Sequence, residues 1–425
     1  MELFVFIGSL FLLLALGVPI AVALIGCALV LMFTLGSFDL NLLGQQMISG
    51  VNNFSLMAIP FFMLAGELMA KGGLSKRIVD FANVLLGRVR GGLGYTAILA
   101  SIIFAGLSGS AVADAAALGA ILLPLMKEQG YRTKRAGGLI CASSIIAPII
   151  PPSIPMILVG TTVGLSVTRL FMSGLVPGII MGLALMVVWR FVVRADDYHD
   201  TVKFTGREAF KTVIQSIPAL FMPVLIVGGI RLGFFTPTEA GAFAVVYAII
   251  ASAFIYRELS LKQFWEAVRD AGRSTAAVMF IAGGAAMVAW LITVAQIPAK
   301  AVALFGGLVN HPIPLLLTIN LFLFLMGMVL DIVPNILIFA PVLFPVIMQA
   351  GIDPYFFALI MVLNLSIGLI TPPVGTVLFV GCGVAKIKFM EIVQGIIPFL
   401  ITELVILIIF IFCPQLILAP LEFLM

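Results

Sequence analysis

Phe104-Ala-Gly-Leu-Ser-Gly-Ser-Ala-Val-Ala-Asp114 is a small-residue, polar interruption inside an otherwise apolar run. A counterpart lies 221 residues on, Leu325-Met-Gly-Met-Val-Leu-Asp-Ile-Val-Pro-Asn335. Each is followed by a proline break, Ala147-Pro-Ile-Ile-Pro-Pro-Ser-Ile-Pro155 and Gly368-Leu-Ile-Thr-Pro-Pro-Val-Gly-Thr376. At the same offset Pro124 falls on Pro345, Gly130 on Gly351, Pro151-Pro152 on Pro372-Pro373 and Gly160 on Gly381. Unrelated segments do not share glycines and prolines in this register, so the chain reads as an internal duplication.

The 425 residues are 62% hydrophobic and only 10% charged, against about 25% charged in a soluble domain. Apolar stretches of about 20 residues follow one another with little pause, the mark of an all-α polytopic membrane protein. The net charge of +4 gives no reason to expect nucleic acid, because the basic residues sit in short loops. Cys27, Cys141, Cys382 and Cys413 lie singly in apolar runs and read as small core side chains. Met1-Glu-Leu-Phe4 has no basic n-region, so an uncleaved first span is expected.

Apolar segments are expected over 3–16, 20–35, 53–70, 136–168 and 170–192, with the first two meeting at Gly17-Val-Pro19. Residues 75–90 carry Ile78, Phe81, Leu85 and Val89 at helical spacing among charges, as an interfacial helix does. The polar stretch 189–216, containing His199, separates a first repeat (1–215) from a second (216–425). The second repeat has segments meeting near Thr236-Pro237, an interfacial stretch 256–273, a span 275–295, a connector 296–312 and a final span from about 392. Segments 92–129 and 313–350 are read as re-entrant hairpins, and 136–168 and 354–386 as broken helices.

Charge tests this topology. With the N-terminus outside and five spans plus one hairpin per repeat, 20 of the 23 Lys and Arg residues fall on the cytoplasmic side. Only Arg169, Arg231 and Lys300 fall outside. Positive residues concentrate in cytoplasmic loops. Five is odd, so the repeats are inverted, a pattern found in secondary transporters. Both termini are then periplasmic.

Irregular backbone at membrane depth must be buried in protein or line a wet cavity. At the tips Ser108, Gly109 and Ser110, freed carbonyls and hydroxyls suit a small hard cation such as sodium. A Ser/Gly helix-packing patch is the structural alternative. Asp114 and Asp331 are intramembrane acids, which mark function by default. Asp331 aligns with Ser110 and Asn335 with Asp114, so each tip holds one carboxylate and one neutral oxygen in opposite order. A carboxylate that only ties up a half-helix N-terminus explains the acids equally well. Pro151, Pro152 and Pro372 free carbonyls beside the tips, and Ser153, Thr371, Gly375 and Thr376 complete two candidate sites. A simple kink is the other reading of those prolines.

Gly106-Leu-Ser-Gly109 is also similar to the motif of intramembrane serine proteases, whose chemistry needs a general base. The two histidines, His199 and His311, fall in a polar loop and an interfacial connector. No P-loop or dinucleotide fingerprint is present in the sequence. A channel of the same fold remains open.

Several stretches resemble the large membrane subunit of TRAP (tripartite ATP-independent periplasmic) transporters. They are Ala58-Ile-Pro-Phe-Phe-Met-Leu-Ala-Gly-Glu67, Gly72-Gly-Leu-Ser-Lys-Arg77, Leu107-Ser-Gly-Ser-Ala-Val-Ala-Asp114, Ile146-Ala-Pro-Ile-Ile-Pro-Pro-Ser-Ile-Pro155, Phe235-Thr-Pro-Thr-Glu-Ala-Gly241 and Ile367-Gly-Leu-Ile-Thr-Pro-Pro-Val-Gly375. The resemblance implies a sodium-coupled importer of the bacterial inner membrane, in which a transport domain moves against a scaffold as an elevator. It implies as partners a small membrane subunit, a periplasmic substrate-binding protein and an organic acid. It also implies two sodium sites, one at Ser108, Ser110, Pro151 and Ser153, the other at Asp331, Asn335, Thr371 and Thr376. Overall likeness leans to the sialic-acid branch, with a C4-dicarboxylate or a sugar or keto acid as alternatives.

Overall fold

In the computed structural model, the described residues are 2–36, 38–196, 198, 205–304 and 306–425. His199 lies outside them. Twenty α-helices and no strand occur among the described residues. The first ten are α1 (Glu2–Ala15), α2 (Ile20–Leu35), α3 (Leu40–Val51), α4 (Ala58–Lys71), α5 (Leu74–Leu86), α6 (Gly92–Ser108), α7 (Ala111–Glu128), α8 (Thr133–Ser144), α9 (Ile154–Val163) and α10 (Val167–Val192). The second ten are α11 (Gly206–Arg231), α12 (Pro237–Ile249), α13 (Leu261–Val294), α14 (Ile297–Leu304), α15 (Pro312–Gly327), α16 (Ile332–Gln349), α17 (Pro354–Gly368), α18 (Thr376–Ala385), α19 (Phe389–Phe412) and α20 (Gln415–Leu424). Among the described residues seven helical stretches are long and apolar enough to cross a membrane, and the chain is a multi-pass membrane protein.

The starts of these helices are written locally. Thr205 with Glu208, Thr236 with Glu239 and Ser260 with Gln263 form capping boxes ahead of α11, α12 and α13. In each, the cap hydroxyl and the glutamyl or glutaminyl side chain satisfy backbone N–H groups that the first turn leaves without carbonyl partners.

The duplication holds element by element. Adding 221 to the bounds of α7 gives 332–349, the bounds of α16. The pairs α6/α15, α8/α17, α9/α18 and α10/α19 agree to within a few residues at that offset. The expected hairpins and broken helices are therefore four pairs of half-length helices.

One expectation is corrected. The interfacial stretch 256–273 and the span 275–295 are not separate, because α13 runs through both as one 34-residue helix. Shifted by 221, α3 and α4 become 261–272 and 279–292, both inside α13. The first repeat breaks at Asn52-Asn53, where the Asn53 side chain accepts from the Ser55 N–H and starts a 3₁₀ turn. The second repeat has no such break. At 1.5 Å per residue α13 is about 51 Å long, well beyond a hydrocarbon core of about 30 Å, so its charged first third stays interfacial. The repeat boundary at 215/216 falls inside α11, so the division at that residue cuts an element.

Two sets of neighbours can be traced, joined where α13 packs on α16 and α5 on α6. α13 lies against α2, α3 and α4, and α12 against α4. In the other group α8 packs on α7, α18 and α19, and α15 and α16 pack on α17. Residues 356–368 of α17 are all buried, as are 136–144 of α8. A helix enclosed all round belongs at a centre, so α8 and α17, the first halves of the broken helices, lie in the core, whereas α18 buries only Val377, Leu378 and Gly381.

Candidate functional site

The first tip forms because Gly109 adopts φ +60°, ending α6, and Ser110 returns to extended backbone to cap α7. The Ser110 hydroxyl accepts from the Ala113 N–H at 3.4 Å. Ser108 donates its hydroxyl hydrogen to Oδ1 of Asp114 and accepts from the Ser110 N–H at 3.2 Å. Asp114 is fully buried, and its Oδ2 has no hydrogen-bond partner. The tip sits directly on the break. A Cβ on Gly109 would lie 2.5 Å from the Pro152 carbonyl oxygen and 3.2 Å from the Ile154 nitrogen. Ser153 caps α9, accepting from the Met156 N–H at 3.2 Å while donating to the Pro148 carbonyl.

The second tip reproduces the layout with different side chains. Asp331 occupies the capping position of Ser110 and accepts from the Ile332 N–H at 2.8 Å. Asn335 is fully buried and donates Nδ2 to the carbonyls of Leu330 and Asp331, both at 3.0 Å. Its Oδ1 has no partner. The break is stitched on by the Val374 N–H, which donates to the Met328 carbonyl at 3.3 Å. A Cβ on Gly368 would lie 2.5 Å from the Gly327 carbonyl carbon, so two backbones touch here. Thr371 donates to the Ile367 carbonyl at 2.8 Å. Gly375, at φ +60°, precedes α18, and the buried Thr376 hydroxyl that opens that helix has no partner. The bonds Pro151-Pro152 and Pro372-Pro373 are both cis.

The candidate residues therefore gather at two tip-on-break junctions. At each, positions 114 and 335, equivalent in the duplication, hold a buried side-chain oxygen without a partner. Such an oxygen is costly to leave unmatched, and with the neighbouring carbonyls it is the hard donor chemistry that a sodium ion takes. Asp331 departs from this. Its bond to its own helix N-terminus is the local capping role, and Ser153 is likewise engaged on both sides of its hydroxyl.

A cavity of about 400 Å³ opens beside the first tip, lined by Ser108, Ser110, Ala113, Glu67, Ala271 and Ser274 among others. It lies between α7 and the α4/α13 pair, where the two packing groups meet. Among the described residues no cluster of His, Cys, Asp and Glu could hold a transition metal.

Three features escaped the sequence reading. Glu67 lines the cavity, close to Lys71, which holds Asp270 at 2.5 Å. Glu403 is fully buried in α19 with neither carboxylate oxygen partnered; a lone acid within the apolar run 396–412 was its signal. Ser101 donates to Ser143 at 2.9 Å, and Asn364 donates to Oδ1 of Asn320 at 2.8 Å. Position 143 maps onto 364 at the 221 offset, so both repeats tie a hairpin arm to the first half of its broken helix through a buried polar pair.

Residues 7–416 match the family model of the tripartite ATP-independent periplasmic transporter, DctM component. The chain belongs to this family. It is 46% identical to the 2,3-diketo-L-gulonate TRAP transporter large permease protein YiaN of Escherichia coli, over 99% of each chain. It is 37% identical to the sialic acid TRAP transporter large permease protein SiaM of Vibrio cholerae, over 94% of this chain and 93% of that one. The crystal structure of the Alcanivorax borkumensis YdaH transporter superposes with a TM-score of 0.57, covering 88% of each chain at 16% identity. That likeness concerns the fold alone. As a TRAP large permease, the chain is a transporter subunit and not an enzyme.

Proposed function

We propose that this TRAP large permease couples sodium to the import of an organic acid, with acidic sugars as its substrate class. The observation that carries the reading is the pair of orphaned oxygens, on Asp114 and Asn335, at equivalent positions of two tip-on-break junctions. One cation per repeat would satisfy both. The N-termini of α7, α9, α16 and α18 begin at these junctions, and helix N-termini favour negative charge. A carboxylate in the cavity beside Ser108 and Ser110 would be held by those N–H groups and by the bound sodium, with no Arg or Lys lining it.

The cargo assignment draws on the named relatives. The cargos named for two of them, 2,3-diketo-L-gulonate and sialic acid, are both acidic sugars. The charge asymmetry supports periplasmic termini in a bacterial inner membrane. Backbone groups recognise a carboxylate but distinguish poorly among its carriers, so selection would fall to a periplasmic binding protein acting with a small membrane subunit. In this reading the tip-and-break group moves against α2–α4 and α11–α13 as an elevator.

The test is uptake into reconstituted vesicles at varied sodium. Asp114→Ala and Asn335→Ala, which remove the two orphaned oxygens, should each weaken the sodium dependence. Wild-type sodium curves in both variants would remove the site assignment.

A further inference from the structure

The duplication has produced a second cavity as well as a second tip. About 350 Å³ in volume, it lies between α3, α9, α13 and α16. It is the counterpart of the cavity beside Ser108, because Ala116, Ala271 and Ser274 of the first map at 221 residues onto Leu337, Gly50 and Asn53 of the second. The two have diverged in chemistry. Both have alanines in their walls, but the polar groups of the first are three serines, Ser108, Ser110 and Ser274, and one acid, Glu67. The second presents Gln46, Asn53, Thr161, Thr162, Trp290 and Thr293, and no charged side chain lines it. An adjoining groove of about 420 Å³ shares Asn53 and Thr161 and adds Ser166, Thr168 and Thr236, again without a charge.

Amides and hydroxyls both donate and accept, as a chain of sugar hydroxyls does. An indole supplies a flat apolar face with one polar N–H, which suits the C–H face of such a chain. A compact dicarboxylate finds no cation here. We infer that this second cavity is a binding site for the polyhydroxylated portion of an acidic sugar, on the side of the membrane opposite the Ser108 cavity. This rests on the proposal that the cargo is an acidic sugar. It adds a place where the sugar, and not its carboxylate, is read. With α3 beginning at Asp39, on the side assigned to the periplasm, the site would receive cargo before it reaches the tips.

Trp290 is both ligand group and reporter. Purified permease, with its small subunit, is titrated with N-acetylneuraminate, with the uncharged N-acetylmannosamine, and with succinate. The expected result is a saturable tryptophan fluorescence change with both sugars and none with succinate, abolished in Trp290→Phe. Thr161→Val removes one hydroxyl whose own bonds go to the Ile157 and Leu158 carbonyls, already acceptors within α9. It should weaken the response about fivefold, the worth of one hydrogen bond. The inference is overturned if neither sugar perturbs the signal, if succinate does so equally, or if Trp290→Phe retains the change. Sodium-driven uptake by the same subunits, reconstituted into vesicles with the periplasmic binding protein supplied, separates the two readings. Uptake of an organic acid with a silent Trp290 sinks this site alone, whereas absence of any sodium-driven uptake sinks the proposed function.

Discussion

Gly109→Ala probes the first junction with a built-in control. At φ +60° an alanine pays about 1–2 kcal/mol for left-handed backbone. Its Cβ would also stand 2.5 Å from the Pro152 carbonyl oxygen, a backbone atom that cannot swing aside. Overpacking of this kind costs about 1–3 kcal/mol. Gly233→Ala carries the same backbone penalty at φ +74° but meets nothing within 4 Å, so the difference between the two isolates the contact. If tip and break together make the cation site, that difference appears in sodium binding. Each ~1.4 kcal/mol is tenfold, so the half-saturating sodium concentration for uptake should rise roughly 5- to 150-fold in Gly109→Ala. Gly233→Ala should stay near wild type. Equal shifts in the two variants, or an unshifted Gly109→Ala with only a lower thermal midpoint, would refute the reasoning.

Ser108→Ala removes the one hydrogen bond to the buried Asp114 carboxyl, and thermal unfolding in detergent should register about 1–3 kcal/mol of lost stability. Glu403→Leu removes two unpartnered oxygens from the middle of α19, so its thermal midpoint should rise; a fall would mean that the acid has a partner in the folded protein. For topology, single cysteines are introduced in a chain cleared of Cys27, Cys141, Cys382 and Cys413. Asp39→Cys and Asp353→Cys should react with an impermeant thiol reagent from the periplasm and Lys134→Cys should not; the opposite pattern would overturn the inverted arrangement.

The parts of the fold legible in the sequence are those with a backbone cause. Proline and glycine dictate where a helix stops, so Pro151-Pro152, Pro372-Pro373 and the Ser108–Ser110 tip could be placed, and the offset of 221 located their partners. α3, α14 and α20 were harder, because they are only 12, 8 and 10 residues long and their breaks, such as Asn52-Asn53 and Pro414, fall inside longer apolar or mixed stretches. The continuity of α13 was hidden because the charged face of 261–273 reads as interfacial whether or not a span follows it. At the site, composition singled out Asp114 and Asp331 alike. Burial and partners divide them: Asp331 caps a helix, and Asp114 keeps an oxygen without a partner. Which oxygens remain unsatisfied depends on the tertiary approach of tip to break, which no local pattern encodes. Asn335 carries such an oxygen for the same reason, whereas the two on Glu403 lie within α19, where burial by neighbouring helices leaves them unmatched.

The most direct test of the account is uptake of a radiolabelled acidic sugar, at micromolar concentration, into vesicles holding this chain and its small membrane subunit. Sodium gradient and periplasmic binding protein are each supplied or withheld. The account predicts substantial uptake only when both are present, with little from the membrane subunits alone. Robust uptake without a sodium gradient would contradict the coupling, and robust sodium-driven uptake without the binding protein would leave an ordinary one-component symporter.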